Sequence, residues 1–270
     1  QKPQASIAVA ARLVTEAKAH AFVSMGSTGA AMAAGVVALG TLEGIERPAL
    51  GGPFLGLAPQ TILVDLGTSI DNRPSQLLNY GVLGSVFAKV FLGIDNPTVA
   101  LLSVGVEEGK GNRQVREAYQ LFRKSGLNFV GNVEGHDLFG EELDVVVCNG
   151  FVGNIVLKTC ESLALRMMGW LKDELTATPI RKLGAALSKN AFRSLKNRID
   201  TENYGGAPLL GVNGVVTISH GSSSARAIRN AVQHTVEAVD HQINEHIIDA
   251  VANANAKLTP TEPEPTAAQA

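Results

Sequence analysis

The sequence predicts an α/β protein built around an open, mostly parallel sheet. Short runs of β-branched residues alternate with longer segments of helical periodicity, the order typical of parallel strands joined by crossover helices. Glycine is abundant at 28 residues and aromatic residues account for only 5%, a composition that suits many strand-to-helix turns. Six of the predicted strands run directly into loops of glycine and polar residues.

The predicted elements span most of the chain. Apolar residues at helical spacing predict helices at residues 6–19, 30–39, 74–92 and 113–124, from about 155 past 170, and from the last glycine-polar loop to about 247. Apolar and β-branched runs predict strands at residues 21–24, 49–54, 61–65, 98–103, 128–130, 144–148 and 215–219. Ser6 suits the N-cap of the first helix, and Pro74 suits the first turn of its helix, where a backbone N–H would be unpaired in any case.

Composition restricts the class of protein. The 270 residues are 45% hydrophobic, enough for one sizeable core or two modest ones, and the net charge of −2 argues against bulk nucleic-acid binding. Two cysteines, Cys148 and Cys160, are too few for a disulfide framework, which favours a reducing compartment. No apolar run reaches the roughly 18 residues that a membrane span needs, and no signal peptide is evident. We therefore expect a cytoplasmic protein that binds no nucleic acid.

The domain prediction covers almost the whole sequence. We expect residues 1–249 to form a single α/β catalytic domain, and residues 250–270, rich in Ala, Thr, Pro and Glu, to form a disordered tail. The chain starts with Gln1 in place of Met, and a helical pattern is in progress from Ser6. We therefore expect that an N-terminal piece of the native protein precedes this sequence.

Residues 178–200 interrupt the alternation and predict a basic amphipathic helical hairpin. Thr178 and Pro179 are a cap and a first-turn proline, and the apolar positions after them keep to one stripe between basic residues. Such a hairpin can bind a membrane surface or an acidic protein, and the alternative is a surface helix pair packed on the domain or on a second subunit. The candidate docking residues are Arg181, Lys182, Leu183, Leu187, Phe192, Arg193 and Lys196.

The six glycine-polar loops are, in chain order, SMGSTG, DLGTSIDN, SVGVEEGKGN, GNVEG, NGFVGN and SHGSSS. In an open parallel sheet such loops lie together at the carboxyl edge, where ligands bind, so we predict one shared binding edge. The alternative is that strand-to-helix turns simply favour Gly, Asn and Ser. The loops supply backbone N–H groups, hydroxyls, amides and lysines, and the loop at 26–29 in front of a helix suits a phosphate.

The stretch DVVVCNGFVGNIVLK at residues 144–158 predicts a strand, a turn and a helix. Such a turn leaves unpaired N–H groups at a helix N-terminus, where an anion can bind. Lys158 follows Asn154 by one helical turn, so both side chains can face an anion or a polarised carbonyl. The alternative is a tight glycine turn followed by a solvated lysine.

Several common chemistries have no motif in this sequence. There is no Gly-x-Gly-x-x-Gly fingerprint, no Walker loop and no Gly-x-Ser-x-Gly elbow, and the six histidines form no metal set, so we expect no cofactor and no metal. Asp65 and Asp71 can orient a lysine, bind a cation or cap their turn. The candidate catalytic residues are Lys158, Asn154 and His220. The candidate residues for phosphate or substrate are Gly26, Ser27, Thr28, Gly29, Asp65, Asn132, Glu134, Gly153, Asn213 and Ser222.

Taken together, these stretches resemble the bacterial phosphate acyltransferases (the PlsX family), which make acyl phosphate from acyl-acyl carrier protein. The matching stretches, in the family's order, are SMGSTGA at 24–30, LVDLGTSIDNRP at 63–74, GVEEGKGN at 105–112, FVGNVEGHD at 129–137, DVVVCNGFVGNIVLK at 144–158 and YGGAPLLGVNGVVTISHGSSS at 204–224. The family usually has Asp at the position of Asn149 and Arg at that of His136. It also has an N-terminal strand–helix segment with no counterpart in this sequence.

The resemblance implies a Rossmann-like, three-layer α/β/α sandwich related to phosphotransacetylases and isopropylmalate dehydrogenases. It implies a homodimer that associates peripherally with the membrane through residues 178–200, with acyl carrier protein and inorganic phosphate as partners. The implied reaction is attack of phosphate on an acyl thioester, and acyl phosphate then enters phospholipid synthesis. The alternatives are a phosphotransacetylase acting on a short acyl-CoA and a non-catalytic membrane-docking scaffold.

For this reaction we expect a ternary, non-covalent mechanism. The loop at 26–29 and Lys158 bind phosphate, and Asn154 orients it. Gly153 and neighbouring backbone N–H groups stabilise the thioester oxyanion. His220 or a water protonates the departing thiolate.

Overall fold

The computed structural model describes residues 3–54, 58–140 and 142–258. The helices are α1 (Ser6–Thr15), α2 (Thr28–Leu39), α3 (Pro74–Leu92), α4 (Arg113–Ser125), α5 (Gly150–Thr176), α6 (Pro179–Leu187), α7 (Lys189–Arg198), α8 (Ala225–Asp240) and α9 (Ile243–Leu258). The strands are β1 (Ala21–Ser24), β2 (Ala49–Phe54), β3 (Ala58–Val64), β4 (Thr98–Leu102), β5 (Asn128–Val133), β6 (Val145–Val147), β7 (Ala207–Leu210) and β8 (Val215–Ile218). Short 3₁₀ turns lie at Asp137–Phe139 and Thr201–Asn203.

The strands of the described residues form one sheet in the order β1-β8-β7-β2-β3-β6-β4-β5. Parallel pairing occurs on both sides of the sheet, between β1 and β8 and among β3, β6, β4 and β5. Between these two parts, β7 and β2 are antiparallel to their neighbours. The predicted α/β fold with a mostly parallel sheet is confirmed. The sequence pattern does not predict β7, because its four residues include Pro208 and no β-branched side chain.

The two antiparallel strands reverse the direction of the sheet. Three consecutive antiparallel pairings separate β8 from β3, so β1 and β8 run in the opposite direction to β3, β6, β4 and β5. The carboxyl ends of these two sets of strands therefore lie at opposite ends of the hydrogen-bonded ladder. The prediction that all six glycine-polar loops share one carboxyl edge is wrong for this reason.

Helices cover both faces of the sheet and give three layers. On one face, α1, α2 and α5 pack on a core that includes Phe54 and Leu63. On the other face, α3, α4, α8 and α9 pack on a core that includes Ile62 and Leu83. Neighbouring residues of one strand, such as Ile62 and Leu63, face opposite layers because side chains alternate along a strand. The layers agree with the predicted α/β/α sandwich.

Helix α3 holds the loop after β3 in place. It begins at Pro74 as predicted, and Tyr80 and most of its other residues between Gln76 and Ala88 are buried between the sheet and helices α4 and α9. The Arg73 N–H donates to the side chain of Gln76 at 2.9 Å, which closes the N-terminus of the helix. The residues before Arg73 are thereby tied to a fully packed element.

The end of the described chain differs from the sequence prediction. The predicted single last helix is two helices, α8 and α9, separated by a turn in which Gln242 has a positive φ of 49°. Residues 250–258, assigned above to a disordered tail, are helical and belong to α9. The cause is an apolar stripe that includes Ile247, Val251 and Ala254 and is buried against α3. The remainder of the predicted tail, 259–270, lies outside the described residues.

Helices α5, α6 and α7 extend away from the sheet. Helix α5 has 27 residues, of which only Gly150 and Gly153 are fully buried, and α6 has no buried residue. The predicted helix pair at 178–200 is present as α6 and α7, with the Thr178 hydroxyl capping the Arg181 N–H at 3.3 Å. Several large apolar side chains of this region are exposed: Leu163, Leu165, Met167, Trp170, Ile180, Leu183, Leu187 and Leu195. Within the described residues, no helix is long and apolar enough to cross a membrane.

Candidate active site

The glycine-polar loops form two groups. The first loop group follows β3, β4, β5 and β6 and comprises residues 65–73, 103–112, 134–137 and 149–154. The second loop group follows β1 and β8 and comprises residues 25–29 and 219–224.

The second loop group brings His220 and Ser222 together, as the sequence predicts. His220 Nδ1 lies 2.6 Å from Ser222 Oγ and accepts from the Ser222 N–H at 3.2 Å, so the neutral ring carries its proton on Nε2. The two loops meet where the Ser219 N–H donates to the Ser24 carbonyl at 2.8 Å. Ser27 occupies the N-cap position of α2, but its hydroxyl makes no capping bond. This group is therefore an exposed cluster of hydroxyls, an imidazole and a helix N-terminus.

Asp65 is the structural centre of the first loop group. Its side chain is fully buried, and its carboxylate accepts from the backbone N–H groups of Leu50, Gly67, Thr68 and Ser69. The Thr68 hydroxyl donates to the same carboxylate at 2.6 Å. Burial raises the pKa of Asp65, and the bonds from Thr68 oppose that shift. Asp65, predicted as a substrate ligand, is instead directed into its own loop and fixes the backbone at 65–69.

The N-terminus of α5 packs directly on that loop. A Cβ atom on Gly150 would lie 2.5 Å from Asp65 Oδ2, and one on Gly153 would lie 3.0 Å from Cys148 Sγ and still closer to the Asp65 carbonyl oxygen. Only glycine allows the helix to approach so closely. Asn149 caps the helix by accepting from the Val152 N–H at 2.9 Å, so one N–H of the predicted anion site is already satisfied.

Asn154 and Lys158 lie on one exposed face of α5, which agrees with their predicted common orientation. All the residues of this face belong to α5, and they are Asn154, Ile155, Lys158, Thr159, Ser162, Leu163 and Arg166. Lys158 is half exposed and pairs with Glu161 at 2.7 Å, while Asn154 lies against Gly67 of the Asp65 loop. The face thus combines an amide and an ammonium group with the apolar side chains of neighbouring residues.

Three polar residues of this face, Thr159, Ser162 and Arg166, were not predicted. Ser162 and Arg166 continue the four-residue spacing of Asn154 and Lys158 along one face of α5. That spacing is visible in the sequence and could have identified both.

Of the remaining candidates, Asn132 and Glu134 lie at the first loop group, and Asn213 lies outside both groups. Asn132 is buried, and its Nδ2 donates to the Glu107 carbonyl at 2.9 Å while its Oδ1 has no protein partner. The Glu134 N–H donates to Asp137 at 2.8 Å, and His136 lies 3.2 Å from the same carboxylate. Asn213 is exposed in the turn between β7 and β8. Within the described part of the chain, no group of three or more His, Cys, Asp or Glu residues is arranged to hold a metal ion.

The fold is that of phosphotransacylases. A phosphotransacetylase from Streptococcus pyogenes superposes with a TM-score of 0.50 at 18% identity, covering 92% of this chain and 66% of that one. A branched-chain phosphotransacylase from Enterococcus faecalis V583 superposes with a TM-score of 0.51 at 15% identity, covering 86% of this chain and 78% of that one. At these identities the likeness defines the fold class alone.

Sequence similarity is much stronger and defines the family. The profile of the fatty acid synthesis protein family matches residues 1–246. A phosphate acyltransferase of Pelotomaculum thermopropionicum is 45% identical over 95% of this chain and 75% of its own length. Another, from Desulfitobacterium hafniense, is 48% identical over 92% of this chain and 74% of its own length. The chain belongs to this family and is an acyltransferase of the phosphate acyltransferase type that spans about three quarters of the length of these relatives.

Proposed function

We propose that this enzyme converts acyl-[acyl carrier protein] and inorganic phosphate into acyl phosphate and free carrier protein, for phospholipid synthesis. The observation that carries the proposal is the exposed face of α5, where Asn154 and Lys158 lie beside the apolar Ile155 and Leu163. The polar pair suits the phosphate and the thioester carbonyl, and the apolar side chains suit an acyl chain. The family supports an acyl group and a phosphate as the reactants.

The proposed chemistry is a direct displacement at the thioester carbonyl. Lys158 holds the phosphate and Asn154 orients it, so that a phosphate oxygen attacks the carbonyl carbon. Backbone N–H groups at Gly153 and its neighbours stabilise the oxyanion of the tetrahedral intermediate. Collapse of the intermediate breaks the C–S bond, and the thiolate takes a proton from water, because His220 lies in the second loop group, at the opposite carboxyl edge of the sheet from Gly153 and Lys158.

A lysine substitution tests the proposed phosphate site. Lys158→Ala removes a charge-assisted hydrogen bond of roughly 1.5–3 kcal/mol, so we expect kcat/KM for phosphate to fall at least tenfold, measured as acyl phosphate formation. Lys172→Ala, farther along the same helix, is the matched control. A Lys158→Ala enzyme with the wild-type kcat/KM removes Lys158 from this scheme. We expect His220→Ala to leave kcat/KM for phosphate unchanged across pH, and a loss of activity would show that His220 is the proton donor.

The choice of acyl donor separates the proposal from its alternatives. We expect turnover with acyl-[acyl carrier protein] and little with short acyl-CoA. A preference for acetyl-CoA would assign the enzyme to short-chain phosphotransacetylases. Binding to vesicles without any formation of acyl phosphate would favour a non-catalytic membrane-docking scaffold.

We also propose that the enzyme is a cytoplasmic homodimer that docks peripherally on membranes through α6 and α7. In support, Ile180 and Leu187 are 84% and 83% exposed beside basic residues that include Lys182 and Arg193. The exposed apolar side chains of α5, such as Trp170, suit a second copy of the chain. Charge reversal at Lys182 and Arg193, scored separately for binding to anionic vesicles and for turnover, distinguishes lipid docking from carrier-protein docking. Light scattering gives the oligomeric state.

A further inference from the structure

Hydrogen bonds from Asn72, Gln114 and Asn149 connect the buried core to the N-terminus of α5. Asn72, in the loop after β3, donates from Nδ2 to the hydroxyl of the fully buried Tyr80 at 2.8 Å. Gln114, in the first turn of α4, donates from Nε2 to the backbone carbonyl of Asn72. Asn149, the N-cap of α5, donates from Nδ2 to Gln114 Oε1 at 3.2 Å. The Gln114 amide thus joins three elements that the sequence separates.

The orientations of the Gln114 and Asn149 amides are fixed by their partners. The backbone carbonyl of Asn72 can only accept, so Gln114 must present Nε2 to it and Oε1 to Asn149. Asn149 must then present Nδ2 to Gln114, which leaves its Oδ1 to accept from the Val152 N–H. A carboxylate at either position 114 or 149 would place two acceptors against each other.

We propose that Gln114 is a positioning residue for acyl transfer. Through its hydrogen bond to Asn149, Gln114 fixes the first turn of α5, and that turn determines the positions of Asn154 and Lys158. This inference rests on the function proposed above. Gln114 does not belong to the exposed face of α5, and its effect passes through the cap of the helix that carries Asn154 and Lys158. With glutamine at position 114, this chain requires an amide at position 149, where the family usually has Asp, because only an amide can donate to Gln114 and cap Val152 at the same time.

The test is Gln114→Glu, which keeps the shape of the side chain and removes the donor to Asn72. We expect kcat/KM for phosphate to fall about tenfold while KM for the acyl donor changes less than twofold. Hydrogen exchange should become faster at residues 149–158, because the cap of α5 loses its support. Gln233→Glu is the matched control, since Gln233 is exposed on α8 and donates to Glu237 at 3.2 Å.

A reciprocal pair separates positioning from a general loss of structure. Asn149→Asp places a carboxylate against Gln114 Oε1, and Gln114→Lys leaves Asn149 facing a group that only donates. Each single variant should lose activity. The double variant should regain at least half of the loss in the logarithm of kcat/KM for phosphate. The introduced ammonium group can donate both to the introduced carboxylate and to the backbone carbonyl of Asn72. A double variant no better than the poorer single variant overturns the proposal. So does a Gln114→Glu enzyme within twofold of wild type in both kinetics and exchange.

The outcomes for the two proposals are distinguishable. If the wild-type enzyme forms no acyl phosphate, the proposed function fails. The exchange rates at 149–158 in Gln114→Glu still test whether Gln114 supports α5. Normal wild-type turnover with an unaffected Gln114→Glu variant overturns this inference alone.

Discussion

Gly153 and Gly169 both lie on α5, and we expect replacement by alanine to change the free energy of unfolding in opposite directions at the two positions. A Cβ on Gly169 would meet nothing within 4 Å, whereas a Cβ on Gly153 would overlap the backbone carbonyl of Asp65. Alanine favours a helix over glycine by about 0.5–1 kcal/mol, so Gly169→Ala should raise the free energy of unfolding by about that amount.

At Gly153 the same gain is outweighed by steric overlap. Overpacking a rigid site costs about 1–3 kcal/mol or more, and here the obstacle is backbone held by the five donors to the Asp65 carboxylate. We expect Gly153→Ala to lower the free energy of unfolding by about 3 kcal/mol.

Urea unfolding followed by circular dichroism measures both variants against wild type. The expected midpoints lie on opposite sides of the wild-type value, and the slope m should be unchanged. A Gly153→Ala protein as stable as wild type would refute the close packing of α5 on the Asp65 loop.

Three further predictions concern buried groups. Asp65→Asn turns an amide N–H toward the donors of Thr68 and Ser69, so the free energy of unfolding measured in urea should fall by about 3 kcal/mol. The exposed control Asp71→Asn should lower it by less than about 0.5 kcal/mol. Val251→Ala should lower the free energy of unfolding by about 2 kcal/mol, and a value near zero would contradict the packing of α9 on α3. Burial raises the pKa of the Cys148 thiol, so a thiol reagent at pH 8 should modify only Cys160 in the native protein and both cysteines after unfolding. Rapid reaction of both thiols in the native protein would show that Cys148 is accessible.

Local patterns predict much of this fold because most strands and helices follow from short-range preferences. The run TILVD and the proline-led helix at Pro74 are examples, and both are present close to the predicted bounds. The direction of each strand in the sheet cannot be predicted from local patterns, because it depends on which strands pair. The pairing of β2 with β7 joins Ala49 to Leu210, and no local pattern near either residue encodes it. The prediction of one shared edge failed at this point.

The same distinction applies to the candidate site. The common face of Asn154 and Lys158 on α5 follows from helical spacing alone, which the sequence displays. Asp65 is different, because one donor to its carboxylate is the Leu50 N–H on the neighbouring strand. From the sequence, Asp65 is an acidic residue in a polar loop, and its burial becomes visible only when the strands are assembled. Gln114 and Asn149, which lie on different elements, could not be connected for the same reason.

The pairing of β1 with β8 has a consequence for the order in which the protein is made. Ala21 of β1 is hydrogen-bonded in register with Val215 of β8, and β8 is the strand through which β1 joins the sheet. During synthesis, β1 leaves the ribosome long before its partner exists. The exposed strand edge must wait until β7 and β8 have emerged, a period in which it can pair with other chains. The pairing of β1 can therefore be completed only after residues 207–218 have been made.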